Sequence, residues 1–164
     1  MAALTTATPR RYRPWGMSVT QNWRVANTNT IYVGAWTALP GTGGLTSNRG
    51  YLVPYQNIAT IEWAGMAIPG GTPGDLSTTN TIVGNTSAAP VVEATTEAGP
   101  FIFERATVTG VSAQTDVGKA FYASNDNDLT LTAAVSPAVG RIIYWYSSTT
   151  ADVLFYGYLA AIVI

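Results

Sequence analysis

The chain has 164 residues, of which 47% are apolar and only 10% are charged, and its formal net charge is −1. This length predicts one domain. Globular proteins usually carry about 25% charged residues, so the low share here predicts a surface with little charge, part of which is covered by a partner or by further copies of the chain. Cysteine and histidine are absent, which excludes disulfides, thiolate metal sites and the commonest general base near neutral pH. We therefore expect a protein that is not an enzyme and that needs no metal or other cofactor.

Residues 1–14 are predicted to form an extended basic arm. Pro9 and Pro14 restrict the residues before them to extended geometry, and Arg10, Arg11 and Arg13 lie between these prolines. This start lacks the apolar core of a signal peptide, and no apolar run reaches the ~20 residues that span a bilayer. We expect a soluble protein with no membrane partner.

The body after the arm is predicted to be all-β, either a small β-sandwich or a barrel of short antiparallel strands. β-branched and aromatic residues occur in short runs between turn-forming residues, and helical periodicity is almost absent. The predicted strands are Ser18–Val25, Thr30–Trp36, Tyr51–Tyr55, Ile58–Ala64, Phe101–Val111, Lys119–Ala123, Leu129–Ala133, Gly140–Tyr146 and Asp152–Tyr158.

Residues 15–164 are expected to be a single β domain with one long Gly/Thr/Pro-rich loop at about 68–90. Within that loop only Thr81–Val83 is predicted to be extended. The apolar end of the chain, Leu159–Ile164, is predicted to close the core or an axis between subunits.

Four polar residues, Asn125 to Asp128, separate two alternating apolar runs. A calcium loop of the EF-hand type needs glycine at its sixth position and glutamate at its twelfth. Counted from Asp126, these positions hold Leu131 and Pro137, so the template fails. Asn and Asp favour tight turns, and the cluster is therefore predicted to be the turn of a hairpin.

Glu93 and Glu97 are four residues apart and would share one face of a strand. A glycosidase needs two carboxylates that face one cleft, and a hydrolase that uses carboxylates alone is one open alternative, with Glu62, Glu93, Glu97 and Glu104 as its candidates. Nothing in the sequence marks a cleft beside this pair. A solvated strand face is the favoured interpretation.

The aromatic triplet Tyr144, Trp145 and Tyr146 lies within a predicted strand. Strand geometry places Trp145 on one face and both tyrosines on the other. One face should join the core, and the other is predicted to be an interface between subunits, because aromatic rings bury much area with little loss of entropy. A glycan-binding platform is the alternative.

The arm combines Arg10, Arg11 and Arg13 with Trp15. Residues 1–61 contain five arginines and no acid, whereas residues 62–164 contain nine acids and three basic residues. Three clustered arginines on a chain of pI ≈ 5.2 are too few basic residues to indicate a nucleic-acid site, so we expect no nucleic-acid partner. An acidic protein surface suits bidentate arginine pairing better; a tail without a partner is the remaining alternative.

The stretch Asp116–Gly157 resembles the C-terminal part of tailed-phage capsid decoration, or cement, proteins. The resemblance depends on an order of turns and strands marked by Gly118, Tyr122, Leu129-Thr130, Gly140-Arg141 and Val153–Phe155. It covers about a third of the chain well. An earlier segment, Phe103–Val111, matches the strand that precedes this part of the family.

The resemblance implies a non-catalytic protein of the virion that binds the outer surface of an assembled phage head and stabilises it. Its partner would be the major capsid protein, and it would act as a homotrimer. Arg10, Arg11, Arg13 and Trp15 are the predicted capsid-binding residues, and Tyr144, Trp145 and Tyr146 the predicted subunit interface. The alternative function is a glycan-binding or adhesive β module on a virion surface.

Overall fold

A computed structural model describes residues 12–14, 19–41, 50–68, 81–83, 92–133 and 135–156. Within these ranges the regular structure comprises thirteen strands and one short 3-10 helix, Gln114–Asp116. The predicted all-β class is confirmed. No helix in the described ranges is long and apolar enough to cross a membrane.

The first seven strands lie in about the N-terminal half of the chain, and the last six lie in the C-terminal half. The first group is β1 (Tyr12–Pro14), β2 (Val19–Arg24), β3 (Thr30–Tyr32), β4 (Trp36–Pro40), β5 (Val53–Pro54), β6 (Ile61–Ile68) and β7 (Thr81–Val83). The second group is β8 (Glu93–Ala98), β9 (Phe101–Thr109), β10 (Ala120–Ala123), β11 (Leu129–Thr130), β12 (Gly140–Ser147) and β13 (Thr150–Phe155).

Five strands close into a barrel. Their order is β9-β11-β10-β12-β13, and β13 pairs again with β9 to complete the circle, while β1 adds to the outside of β9. All these pairings are antiparallel except β9 with β11, which is parallel. The predicted small barrel is thus present, with one parallel contact in its wall.

The remaining strands form a five-stranded middle sheet, β2-β8-β6-β4-β5, and a separate two-stranded ribbon, β3-β7. The strand predicted at Thr30–Trp36 is present only at its start, as β3, and its last residue, Trp36, begins β4, which continues beyond the prediction. A turn at Val33-Gly34 separates β3 from β4, and Gly34 has a φ of 87°, a left-handed geometry that favours glycine. The extended segment predicted at Thr81–Val83 is confirmed as β7, which pairs with β3. The other loop residues from 69 to 90, and Leu159–Ile164, lie outside the described residues.

The main core lies between the barrel and the middle sheet, and aromatic rings fill it. Phe155 of β13 is at its centre, with ring centroids 4.7 Å from Trp36, 5.0 Å from Trp63, 4.9 Å from Phe101 and 5.0 Å from Phe121. A smaller apolar cluster, which includes Val25, Ile31, Leu39, Leu52 and Ala67, covers the opposite face of the middle sheet. At β4 and β6 the middle sheet is therefore covered by apolar side chains on both sides, whereas its edge strand β2 is exposed at five of six residues.

Candidate functional site

The root of the arm is a strand rather than a free tail. In β1, Tyr12 lies opposite Phe103, Arg13 opposite Ile102 and Pro14 opposite Phe101, in antiparallel register with β9. The extended geometry predicted for the arm is present at these three residues. The other arm residues and Trp15 are outside the described part of the chain, and with them the predicted capsid-binding residues Arg10 and Arg11.

Tyr12 joins the two sheets at this point. Its ring packs edge-on against Phe101, at a centroid distance of 5.4 Å. Its hydroxyl donates a hydrogen bond of 2.5 Å to Oε2 of Glu97, which belongs to β8 of the middle sheet. The arm root therefore contacts both the barrel and the middle sheet.

The prediction of a solvated carboxylate face on β8 is wrong for Glu97. Glu93 is exposed, as expected, but Glu97 is 0% exposed, although both side chains lie on the same face of the strand. The difference has two sources: Tyr12 contacts Glu97 at the end of β8 beside the arm root, and the described pairing with β6 places Met66 opposite Glu97 but stops before Glu93. A strand added from a distant part of the chain is a tertiary contact, and β8 alone contains no sign of it.

Arg13 points toward solvent and pairs with a carboxylate on the neighbouring strand. Its Nε lies 3.0 Å from Oε1 of Glu104, and the two side chains are 56% and 44% exposed. Such an exposed pair contributes little to stability, about 0–1 kcal/mol. Arg13 thus stays accessible to a partner, and its role in capsid binding remains a prediction.

The next residue of β9, Arg105, belongs to a surface cluster that the sequence did not suggest. Its guanidinium carbon lies 4.9 Å from the centre of the Tyr146 ring, and the Tyr146 ring lies 4.7 Å from that of Tyr144. Tyr144 and Tyr146 are 53% and 41% exposed. We call Arg105, Tyr144 and Tyr146 the aromatic patch.

Asp152 lies beneath the aromatic patch and positions two of its residues, Arg105 and Tyr146. This residue is 7% exposed, and its carboxylate accepts hydrogen bonds from the Arg105 backbone N–H at 2.8 Å and from the Tyr146 hydroxyl at 3.1 Å. Arg105 has a φ of 51° at an irregularity in the pairing of β9 with β13. Burial, followed by the hydrogen bond to Asp152, raises the pKa of Tyr146 above its usual value.

The predicted arrangement of the triplet is confirmed. Tyr144 and Tyr146 face outward, and Trp145 is half-buried against the main core. Whether the outward face is a subunit interface remains a prediction. Arg105 could not be assigned to this patch from sequence, because its position depends on a bulge and on a strand 40 residues away.

A concave groove of about 350 Å3 begins at Arg105 and runs along the outside of β9. Phe103, Thr107 and Thr109 line it on β9, and residues 127–129 line it on the opposite side. β1 pairs with the start of β9 and β11 with Val108 and Thr109, so the described strands leave Glu104–Thr107 unpaired along this edge. The groove thus lies on the outside of the barrel, beside the arm root.

The polar cluster at Asn125–Asp128 is a turn, as predicted, and it joins the antiparallel strands β10 and β11. Oδ1 of Asn125 accepts the backbone N–H groups of Asn127 and Asp128, each at 2.8 Å. The turn is nevertheless not a free tip. The Trp36 backbone donates to the Asp126 carbonyl at 2.8 Å and its indole to the Asn127 carbonyl at 3.1 Å, so the turn is docked on the middle sheet.

The described residues contain no group of three or more acidic side chains close enough to hold a metal ion together. One carboxylate with a lowered pKa is that of Asp116, the last residue of the 3-10 helix. Lys119 binds it at 2.7 Å, and the backbone N–H groups of Ser112 and Ala113 donate to it at 2.8 and 3.0 Å. These contacts hold its pKa well below the usual range and make it a structural residue.

These features define an all-β protein in which a closed five-stranded barrel, packed on a second sheet, presents an arm root, a groove and an aromatic patch on one side. A scan against protein-family models found no match, and searches of curated proteins and of solved structures found none either.

Proposed function

We propose that this protein is a non-catalytic capsid decoration protein, which binds the outer surface of an assembled phage head and stabilises it. The observation that carries the proposal is that the two stretches that resemble the family together supply the strands of one structural unit, the barrel. The resembling stretch, Asp116–Gly157, contains β10 to β13, which are four of the five barrel strands. The earlier match at Phe103–Val111 contains most of β9, the fifth strand.

The marks of the resemblance have structural reasons in this barrel. A side chain at Gly140 would overlap the Leu154 carbonyl and the Phe121 ring, and Gly118 has a φ of 89°. Arg141 donates to the Tyr156 hydroxyl at 2.8 Å and to the Gly118 carbonyl at 3.3 Å. Since the family pattern and the barrel depend on the same residues, the pattern supports a shared architecture, and through it a shared role.

The surface around β9 supports docking onto another protein. The arm root, the aromatic patch and the groove are adjacent because β9 contributes to all three. Arginine and tyrosine are enriched at the energetically important positions of protein interfaces. In this proposal Arg13 and the arm before it contact the major capsid protein, and Tyr144 and Tyr146 contact a neighbouring subunit of a homotrimer.

Binding of this kind stabilises a shell by mass action. A protein that binds the assembled shell and not its dissociated subunits adds about 2.7 kcal/mol per site when its free concentration is a hundred times the dissociation constant. Three arms in one trimer would act together, so that weak single contacts give a strong attachment. No bond is made or broken in this mechanism.

Co-sedimentation with heads assembled from the major capsid protein of the same genome tests the proposal. We expect the full chain to sediment with assembled heads and to ignore unassembled capsid subunits. A chain that lacks residues 1–11 should keep its circular dichroism spectrum and lose head binding. Equal binding by the full and the shortened chains would refute the role of the arm, and no binding by either would refute the function.

A matched pair of arginine variants tests the predicted contact more locally. Arg13 and Arg24 are both exposed strand residues, but only Arg13 lies beside the groove. We expect Arg13→Ala to weaken head binding about tenfold, since an arginine in a well-made contact contributes on the order of 1–2 kcal/mol. Arg24→Ala should bind like the natural chain. Similar losses in the two variants would mean that only overall charge matters.

The subunit interface is tested by solution mass. If Tyr144 and Tyr146 lie between subunits, Tyr144→Arg should convert a trimer into a monomer in light scattering, because it places a charge in an apolar contact. Thr107→Arg, on the exposed face of β9, is the control and should stay trimeric. A natural chain that is monomeric at all concentrations would remove the interface from the proposal.

A glycan-binding module is the second candidate, and the exposed tyrosines favour it. Aromatic rings that bind sugars need a free face, and the Tyr146 ring is covered on one side by Arg105 and flanked by Tyr144 at an interplanar angle of 60°. This crowding favours the protein interface. A glycan array decides between the two: a signal that Tyr144→Ala abolishes would support the glycan module.

A further inference from the structure

We propose that Tyr12 and Glu97 form a latch, which fastens the arm root to the middle sheet and fixes the point at which the arm leaves the body. Both are positioning residues for the arm. The latch itself is a property of the isolated protein, and only its consequence for docking depends on the proposed function.

The first argument is the burial of Glu97. Its side chain is fully buried, with Thr20 of β2 on one side and Met66 of β6 on the other. Oε2 accepts the Tyr12 hydroxyl, and Oε1 has no hydrogen-bond partner among the described residues. A buried carboxyl group with a single partner is costly to leave alone. Loss of Tyr12 from this position would therefore destabilise the body as well as the arm.

The second argument is the weakness of the other contacts of β1. Among the described residues, three pairs join it to β9, and the Arg13–Glu104 ion pair is exposed and contributes little. An edge strand this short needs an additional contact to stay in place. The Tyr12 ring on Phe101 and the hydroxyl on Glu97 provide contacts of that kind, one to each sheet.

The direction of β1 gives the latch its consequence. β1 is antiparallel to β9, and Tyr12, its first described residue, lies opposite Phe103, which is next to the unpaired stretch Glu104–Thr107. A partner that pulled β1 out would have to break the latch, whereas a partner that bound only the residues before Tyr12 would leave it closed. The latch thus keeps Tyr12 and Arg13 on the barrel and preorganises the point from which the arm starts, which lowers the entropy lost on binding.

Hydrogen exchange of the isolated full-length protein tests the latch. Tyr12→Phe removes the hydroxyl and keeps the ring. Of the Tyr12 and Arg13 amides, the one that donates to β9 should exchange roughly 5-fold to 150-fold faster in this variant, because an unsatisfied buried group costs about 1–3 kcal/mol. Tyr156→Phe is the matched control, since the Tyr156 hydroxyl contacts exposed Arg141, and it should leave both amides unchanged.

A double variant separates a latch from general loosening. Glu97→Met removes the buried carboxyl group and keeps a side chain of similar length, so Tyr12→Phe should no longer accelerate exchange in the Glu97→Met background. Equal acceleration in both backgrounds, or uniform acceleration across β9 and β13, would overturn the proposal. If Glu97→Met does not fold, Glu97→Gln serves as the background: its amide oxygen can still accept the Tyr12 hydroxyl, so Tyr12→Phe should again accelerate exchange, and an unchanged rate there would refute the latch.

Head binding adds a separate readout. With the latch open, the arm starts from a disordered root, and Tyr12→Phe should weaken head binding several-fold while the trimer stays intact. Faster exchange without any head binding by the natural chain would uphold the latch and refute the proposed function. Unchanged exchange in Tyr12→Phe, together with head binding by the natural chain, would refute the latch and uphold the proposed function.

Discussion

The middle sheet and the barrel bury their strands in different ways. In the middle sheet all five residues of β4 and seven of the eight in β6 are buried, because apolar clusters cover both faces. In the barrel, β12 alternates, with Gly140 and Ile142 inside and Arg141, Tyr144 and Tyr146 exposed. A strand that alternates can present side chains to a partner without disturbing the core.

This difference assigns separate roles to the two regions. The middle sheet supplies support, including the buried Glu97 that holds the arm root, and the barrel supplies the accessible face. Substitutions on the outside of the barrel should therefore change binding with little loss of stability, whereas substitutions at the shared core should affect both regions together.

Phe155→Ala should have the largest effect, since it breaks the junction between the two regions. The ring touches four other aromatic rings, two in each region, and truncation of a buried phenylalanine costs about 3–5 kcal/mol. Denaturant unfolding, followed by tryptophan fluorescence and circular dichroism, should show one shifted transition. Two separate transitions would mean that barrel and middle sheet do not unfold as one unit.

Gly140→Ala tests close packing within the barrel alone. The added methyl group would collide with the Leu154 carbonyl and the Phe121 ring, and overpacking of this kind costs about 3 kcal/mol. Gly118→Ala is the control: it has a φ of 89° and open space around it, so only the backbone cost of about 1–2 kcal/mol applies. Equal losses in chemical unfolding would show that the predicted collision is relieved by a shift of the strand.

The pH dependence of folding stability tests the burial of Tyr55 on the middle-sheet side of the core. Burial raises the pKa of this tyrosine from 10.0 to about 12. A group whose folded pKa is raised stabilises the fold fully below its unfolded pKa, and that contribution is lost as pH rises. Stability should therefore fall by roughly 2–3 kcal/mol between about pH 10 and 12, and Tyr55→Phe should flatten this decline. A decline that persists in the variant would have another origin.

Asp116 should have the smallest effect, which appears as a change in the stability of the fold at acid pH. The hydrogen bond from Lys119, followed by those from backbone N–H groups, lowers its pKa. The stabilisation is present above the unfolded pKa of about 4 and is lost as pH falls below it. Asp116→Asn should weaken the loss of thermal stability in acid, and Glu62→Gln, an exposed residue, should not. Identical acid profiles for both variants would contradict the assignment.

The barrel strands were the most predictable part of the fold. The segments predicted at Phe101–Val111, Lys119–Ala123 and Gly140–Tyr146 correspond to β9, β10 and β12 within a few residues, because these strands alternate and end at turn residues. The bounds of β8 were not predicted, although Glu93 and Glu97 were interpreted as a strand face, and only Trp36 of β4 fell within a predicted strand. Strands buried on both faces lack the two-residue period that makes a strand visible in a sequence.

The sequence by itself determined the all-β class, the turn at Asn125–Asp128 and the opposite facing of Trp145 and its two tyrosine neighbours, because each depends on local conformational preference or on the alternation of a strand. Only the tertiary structure decided that Glu97 is buried under Tyr12 and that Arg105 lies over Tyr146. Both contacts join residues at least 40 positions apart, and no local pattern encodes which distant side chain will cover a given strand.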